Sequence, residues 1–449
     1  MSISRRLYEA VMTRDVQAEA NLDEQVRRDV PYNAVRLVGA HALQSSGDQT
    51  VNASTVLPWL FQALGVPPAL TGLLVPIRES GSMLPQAALT PVVLRVRRRV
   101  WVFVTGALIQ AVAVAAMALV AATGSGLGAG VAILAALAVF SFGRSLGSMS
   151  SKDVQGRTLP KGQRGQINGL STTAAGVVAI TLGVALRAIG GGDLSATQIA
   201  WLLGAGAVMW VLTAVVYAGI REPVDDESHA RQPDTRPGAA REEAETPWWR
   251  ASVQLLRDDA PFRRFVIVRS LLLVSALSPP FLVSLAAQSG AGAISGLGGF
   301  VIASGLSALL GGPVAGRLAD RSSRTLMAVG AGVASAVLLL IVVLTLLPGF
   351  DGDSAWGAVL FVGSYFALTL IHTGVRVGRK TYLVDMAEGD QRTKYVAVSN
   401  TAMGIILLIA GALSSALSVL GVHWALVFLA VLGVLGVVAA RRLPEVSVG

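Results

Sequence analysis

Long apolar blocks separated by short charged ones dominate the chain. Residues 100–122 (VWVFVTGALIQAVAVAAMALVAA) and 424–440 (WALVFLAVLGVLGVVAA) contain no charged residue. They show neither the two-residue alternation of a half-buried strand nor a polar helical face. About 20 apolar residues are needed to cross the hydrocarbon of a bilayer, and only a helix or a closed barrel satisfies its backbone there. The pattern therefore predicts an all-α membrane protein. Twelve spans are expected, near 37–65, 68–94, 100–123, 128–151, 166–190, 196–219, 264–288, 292–315, 325–347, 355–378, 396–419 and 422–440. The first is unusually polar and is retained because the loops require an even count.

Those loops are asymmetric. With the N-terminus inside, one side holds Arg95, Arg97, Arg98, Arg99, Lys152, Arg157, Lys161 and Arg164. It also holds Arg317, Arg321, Arg324, Arg379, Lys380, Arg392, Lys394, Arg441 and Arg442. The loops of the other side contain Arg187 alone. Basic residues gather on the cytoplasmic side of membrane proteins, so both termini are expected in the cytoplasm. Residues 221–247 are polar, charged and rich in turn formers, which reads as a linker. The sequence after it, WWRASVQLLRDDAPFRRF, suggests an interfacial helix with Trp248 and Trp249 at the headgroups. The expected organisation is a cytoplasmic segment 1–31, a six-helix bundle 32–220, a cytoplasmic linker 221–262 and a second six-helix bundle 263–443.

Composition agrees. The 449 residues are 53% hydrophobic and 14% charged, against roughly 25% charged in soluble domains. The net charge of +9 is explained by topology, which argues against a nucleic-acid partner. Cysteine is absent, which removes thiol chemistry and Cys-ligated metals. The N-terminal stretch is too polar for a cleavable signal peptide. Arg-rich, Lys-poor usage fits a bacterium with a GC-rich genome, hence an inner or plasma membrane.

The two halves repeat. Setting 152–183 over 380–411 aligns Lys152 with Lys380, Ser171 with Ser399, Gly176 with Gly404 and Gly183 with Gly411. Repeated halves are a common transporter design. Residues 316–324, GRLADRSSR, lie between the expected eighth and ninth spans. They resemble the inner-loop signature of the major facilitator superfamily, Gly-x-Leu-Ala-Asp-Arg-x-Gly-Arg, with Ser323 in place of its second Gly. The counterpart between the second and third spans, LRVRRR, lacks the Asp. The fold-level resemblance covers 32–443. It implies two pseudo-symmetric bundles and secondary active transport of a small solute by alternating access. It also implies an inner gate in which Gly316, Asp320, Arg321 and Arg324 make contacts that break as the inner side opens. Arg144 loosely resembles the family's buried fourth-span arginine. The family's Gly-Pro antiporter signature is missing from the fifth span.

Chemistry concentrates in the first two spans. His41, Gln44, Asp48, Asn52 and Thr55 recur at three- and four-residue intervals, which predicts one polar face. Asp48 would lie about 17 Å from the inner end of its span at 1.5 Å per residue, and Arg78 and Glu79 at a matching depth. Buried charges there mark pathways. Asp48 or Glu79 is expected to carry a coupling proton, with Arg78 alternating between carboxylate and substrate. Asn52, Arg144 and His372 are further substrate or coupling candidates. Arg144 and His372 are equivalent under the repeat. Ser278-Pro279-Pro280 should interrupt the seventh span, and Arg269 should snorkel to the interface. No phosphate loop, metal motif or catalytic set is present, so no cofactor, no metal and no enzymatic activity are expected. The expected partners are a small-molecule substrate, protons and the lipid bilayer, with the chain a monomer. The alternatives are a uniporter or lipid-type flippase on the same fold, or a non-transporting receptor.

Overall fold

The computed structural model describes Tyr8 and residues 23–160, 163–190, 194–223, 248–290, 296–386 and 391–446. Among these residues every regular element is a helix. In chain order they are α1 Glu24–Thr50, α2 Val56–Ala63, α3 Pro68–Thr71, α4 Leu74–Met83, α5 Pro85–Arg95, α6 Arg99–Thr123, α7 Gly126–Thr158, α8 Gln163–Gly190 and α9 Ala196–Ala218. After residue 247 follow α10 Trp248–Asp258, α11 Ala260–Leu271, α12 Val274–Gln288, α13 Leu297–Thr345, α14 Ala355–Met386, α15 Gln391–Ser418 and α16 Val422–Ala440. The centre of the expected linker, 224–247, lies outside the described residues.

Among the described residues, eight helical stretches are long and apolar enough to cross a membrane. They are Arg99–Thr123, Gly126–Thr158, Ala196–Ala218, Ala260–Gln288, Arg321–Thr345, Ala355–Leu383, Val398–Ser418 and Val422–Ala440. Thr173–Ala188 and Leu297–Gly311 are shorter apolar helices. The apolar residues that face outward, such as Val112, Leu119, Val215 and Val343, form a surface that lipid rather than water would cover. Trp201, Trp356 and Trp424 are exposed near the starts of α9, α14 and α16, and Trp101 and Trp249 near the starts of α6 and α10. These positions lie at opposite ends of the bundle, as interfacial aromatic belts do.

Several expected spans are broken or extended. The first divides at Val51–Thr55 into α1 and α2. Asn52 closes this break by accepting a hydrogen bond from the Ser54 N–H (2.8 Å). The seventh divides at Leu272–Leu273, ahead of the expected Ser278-Pro279-Pro280 site, and both prolines lie inside α12. The expected eighth and ninth spans form one helix, α13, with non-helical backbone at Ser322 (φ −166°, ψ 100°). Helices α7 and α14 run beyond the expected ends near 151 and 378. Arg379 and Lys380 are therefore helical residues, not loop residues.

The helices before residue 223 meet those after 248 mainly from the middle of the bundle to the end opposite the termini. There α8 packs on α13, α4 and α3 on α15, and α2 on α12. The Ser80 hydroxyl donates to the Gly404 carbonyl (2.8 Å), and Ser415 donates to the Ala69 carbonyl. Closest approach occurs where side chains are missing. A Cβ on Gly183 would lie 2.8 Å from the Gly298 carbonyl oxygen, and one on Gly298 would lie 2.6 Å from that of Gly183. Small residues permit such backbone contact in membranes.

Candidate functional site

The first cluster is built on an aromatic floor. Gly47 of α1 leaves room for the buried indole of Trp210. Trp210 meets Phe140 of α7 edge-on, with ring centroids 5.6 Å apart, and the Arg78 guanidinium lies 5.6 Å above the Phe140 ring. Arg78 then makes two hydrogen bonds. It donates to Asp48 Oδ1 (2.9 Å) and to the Val51 carbonyl (3.0 Å), which the break after α1 leaves without a helical partner. Arg144 of α7 donates to the same Asp48 oxygen at 2.5 Å. One carboxylate on α1 thus joins arginines from α4 and α7. The side chains are 17%, 12% and 32% exposed for Asp48, Arg78 and Arg144, so Arg144 is the most open of the three.

Glu79 follows Arg78 on α4 but points elsewhere. Among the described residues its carboxylate makes no hydrogen bond or ion pair. Its charge acts on Arg78, Arg144 and, across to the later helices, Arg379. Asn52 and Thr55, expected to extend the Asp48 face, do not. The helix ends at Thr50, the Asn52 oxygen closes the break, and Thr55 is fully buried.

A second cluster lies on α11, α14 and α15. Arg269 donates to Ser399 Oγ (2.8 Å) and Asn400 Oδ1 (2.9 Å). It ties α11 to α15 and does not snorkel. His372, Arg376, Arg379 and Lys380 recur along α14 at intervals that share one face. His372 Nδ1 lies 3.5 Å from Ser275 Oγ. Arg379 is 7% exposed, and one of its terminal nitrogens is buried without a hydrogen-bond partner. The charges acting on it are those of Arg269, Arg376 and Glu79. Those acting on Lys380, which is exposed, include Lys152 of α7, so the field of the cluster reaches the earlier helices.

At the end bearing the termini, each set of helices is tied by an acidic tail. Glu222 accepts from the Val100 N–H at the start of α6 (2.9 Å) and pairs with Arg157 of α7 (3.5 Å). Burial pushes the Glu222 carboxyl above its ordinary range, against the lowering effect of those partners. Glu445 accepts from Ser322 Oγ (2.5 Å) and pairs with Arg324 (3.4 Å). Arg324 was expected to reach across the gate. Its partner here is the chain's own C-terminal segment, which also accepts its bond at the Leu443 carbonyl (3.0 Å). Arg321 is exposed. Gly316 and Asp320 lie within α13, but their side chains are outside the described residues. Sequence reasoning placed Asp48 with Arg78 and did not anticipate Arg376 and Arg379 on the helix face of His372. Their four-, seven- and eight-residue spacing from His372 was the available signal.

The family model described as Major Facilitator Superfamily matches residues 40–373 and 272–448. No curated protein matches the chain. Among solved structures, a D-xylose–proton symporter is similar with a TM-score of 0.69 and 11% identity, covering 92% of this chain and 98% of its own. A mutant form of the peptide transporter POT gives 0.66 and 14%, covering 99% of each chain. A mutant form of the nucleoside transporter NupG gives 0.62 and 12%, covering 91% and 99%. At these identities the likeness is one of fold.

Proposed function

The chain belongs to the major facilitator superfamily, and on that premise we propose that it moves a small solute by alternating access, coupled to protons. That it is a secondary transporter follows from the family; the coupling and the working cycle are our reading. In this reading twelve spans form bundles 32–220 and 263–443, joined by the cytoplasmic linker 221–262. They rock about the gap that Arg144, Glu79, Arg379 and Lys380 face. The end opposite the termini, where Gly183 meets Gly298, is the sealed outer side. The end bearing the termini is cytoplasmic, in a bacterial inner or plasma membrane.

Glu79 carries the proton reading. Protonating Asp48 would weaken two charge-assisted hydrogen bonds, each worth roughly 1.5–3 kcal/mol. Protonating Glu79 breaks none among the described residues. A carboxylate without a direct partner, acting on cations from both sets of helices, can report its protonation state to both. A proton symporter shares this fold, so the fold accommodates such coupling.

The test uses proteoliposomes enclosing a pH-sensitive dye, screened with sugars, peptides, nucleosides and carboxylates. The expected result is solute-dependent proton movement that Glu79→Gln abolishes while solute exchange persists. Gradient-driven flux at the wild-type rate in Glu79→Gln would overturn the assignment.

A further inference from the structure

The two polar clusters differ in charge balance, and the imbalance names a substrate class. In the first, Asp48 neutralises much of the charge of Arg78 and Arg144 through direct bonds. In the second, Arg269 is held by neutral groups, the Ser399 hydroxyl and the Asn400 amide oxygen. Arg379 is buried with an unbonded terminal nitrogen, and Arg376 and Lys380 sit on the same face of α14. The one carboxylate whose charge acts on Arg379 among the described residues is Glu79, which also acts on Arg78 and Arg144. Arg379 is buried and Arg269 half-buried, while Arg376 and Lys380 are exposed. A buried guanidinium without a bonded carboxylate is costly unless an anion joins it. Planar guanidinium forks suit carboxylate and phosphate oxygens.

We propose that Arg269, Arg376, Arg379 and Lys380 bind an oxyanionic group of the transported solute, a carboxylate or a phosphate. The proposal rests on the transport reading above and assigns its substrate class. One terminal N–H group of Arg379 is buried without a hydrogen-bond partner, and the cations whose charge acts on it are Arg269 and Arg376. The charge of Lys152 on α7 also acts on Lys380, so the positive field extends from α14 to the earlier helices. Such a field raises the local concentration of anions and excludes cations.

The test is binding to the purified full-length chain in neutral detergent, read by thermal unfolding at constant ionic strength. The probes are inorganic phosphate and citrate, with a neutral sugar as control and phosphatidylglycerol in mixed micelles as a separate arm. Phosphate or citrate is expected to raise the Tm saturably and the sugar to leave it unchanged. Arg379→Gln and the exposed-site variant Arg376→Gln should each weaken the apparent affinity at least tenfold, with partial recovery in Arg379→Lys. A rise with phosphatidylglycerol alone, lost in Arg379→Gln, would assign the same anion chemistry to a lipid headgroup. No anion-dependent rise, or a rise that both glutamine variants leave intact, would overturn the proposal. No gradient enters this measurement. A failed proton-coupling assay therefore leaves it standing, and coupled flux without anion binding would remove this proposal alone.

Discussion

The cluster around Asp48 and the cluster around Arg379 are made of the same groups, yet one is closed and the other open. In the first, a single carboxylate oxygen takes hydrogen bonds from two guanidinium groups. In the second, guanidinium and ammonium groups share a helix face with no carboxylate of their own among the described residues. In the sequence register that sets 152–183 over 380–411, Arg144 corresponds to His372 and Lys152 to Lys380, so equivalent positions carry different partners. The difference teaches that charge in the middle of a membrane bundle has two uses. Matched charge joins helices; on the proposal above, unmatched charge is held for an anion.

The comparison can be broken most sharply at Asp48. Asp48→Asn would leave Arg78 and Arg144 without their counter-ion, a loss of about 3 kcal/mol, measured as a lowered Tm in detergent. A double-mutant cycle of Asp48→Asn with Arg144→Gln should return a coupling energy of about 1–3 kcal/mol; near-zero coupling would mean that the closed cluster is not a joint. Glu222 gives a smaller effect with a defined sign. Its carboxyl is raised by burial, so the folded protein binds a proton more readily than the unfolded one. Its contribution to stability is therefore greatest at low pH and declines as pH rises from the ordinary carboxylate range through the raised value. Glu222→Gln should flatten that part of a Tm-against-pH curve. Smallest is Arg379→Gln, for which the open cluster predicts a stability change within about 0.5 kcal/mol or a slight gain, since an uncompensated buried charge is removed. A loss as large as that of Asp48→Asn would erase the distinction between the clusters.

The helical membrane architecture was legible because apolar length is a one-dimensional signal. The meeting of Asp48 and Arg78 was legible too, since antiparallel spans bring residues of matching depth together. The pairing of Arg144 with Asp48 was not, because depth says nothing of the direction in which a helix turns its side chains. The break at Val51–Thr55 hid inside a polar run whose Asn52 offered the local cue, a side chain that competes with helix by bonding nearby backbone. Arg379 and Lys380 were read as loop charges because they follow the last apolar residues of their span. The helix in fact continues to Met386. Arg269 looked interfacial by position alone; its bonds to Ser399 and Asn400 depend on a helix more than a hundred residues away.

Arg78 is doubly tied, to Asp48 on one side and to the bare Val51 carbonyl on the other. Any ligand that drew it away would orphan an acid and a peptide oxygen in one stroke, so Arg78 behaves as a rivet through the elbow of the first span. Arg144 is tied to Asp48 and is the more exposed of the two. On the transport reading proposed above, Arg144 rather than Arg78 is the arm that swings toward a guest while the elbow stays clamped.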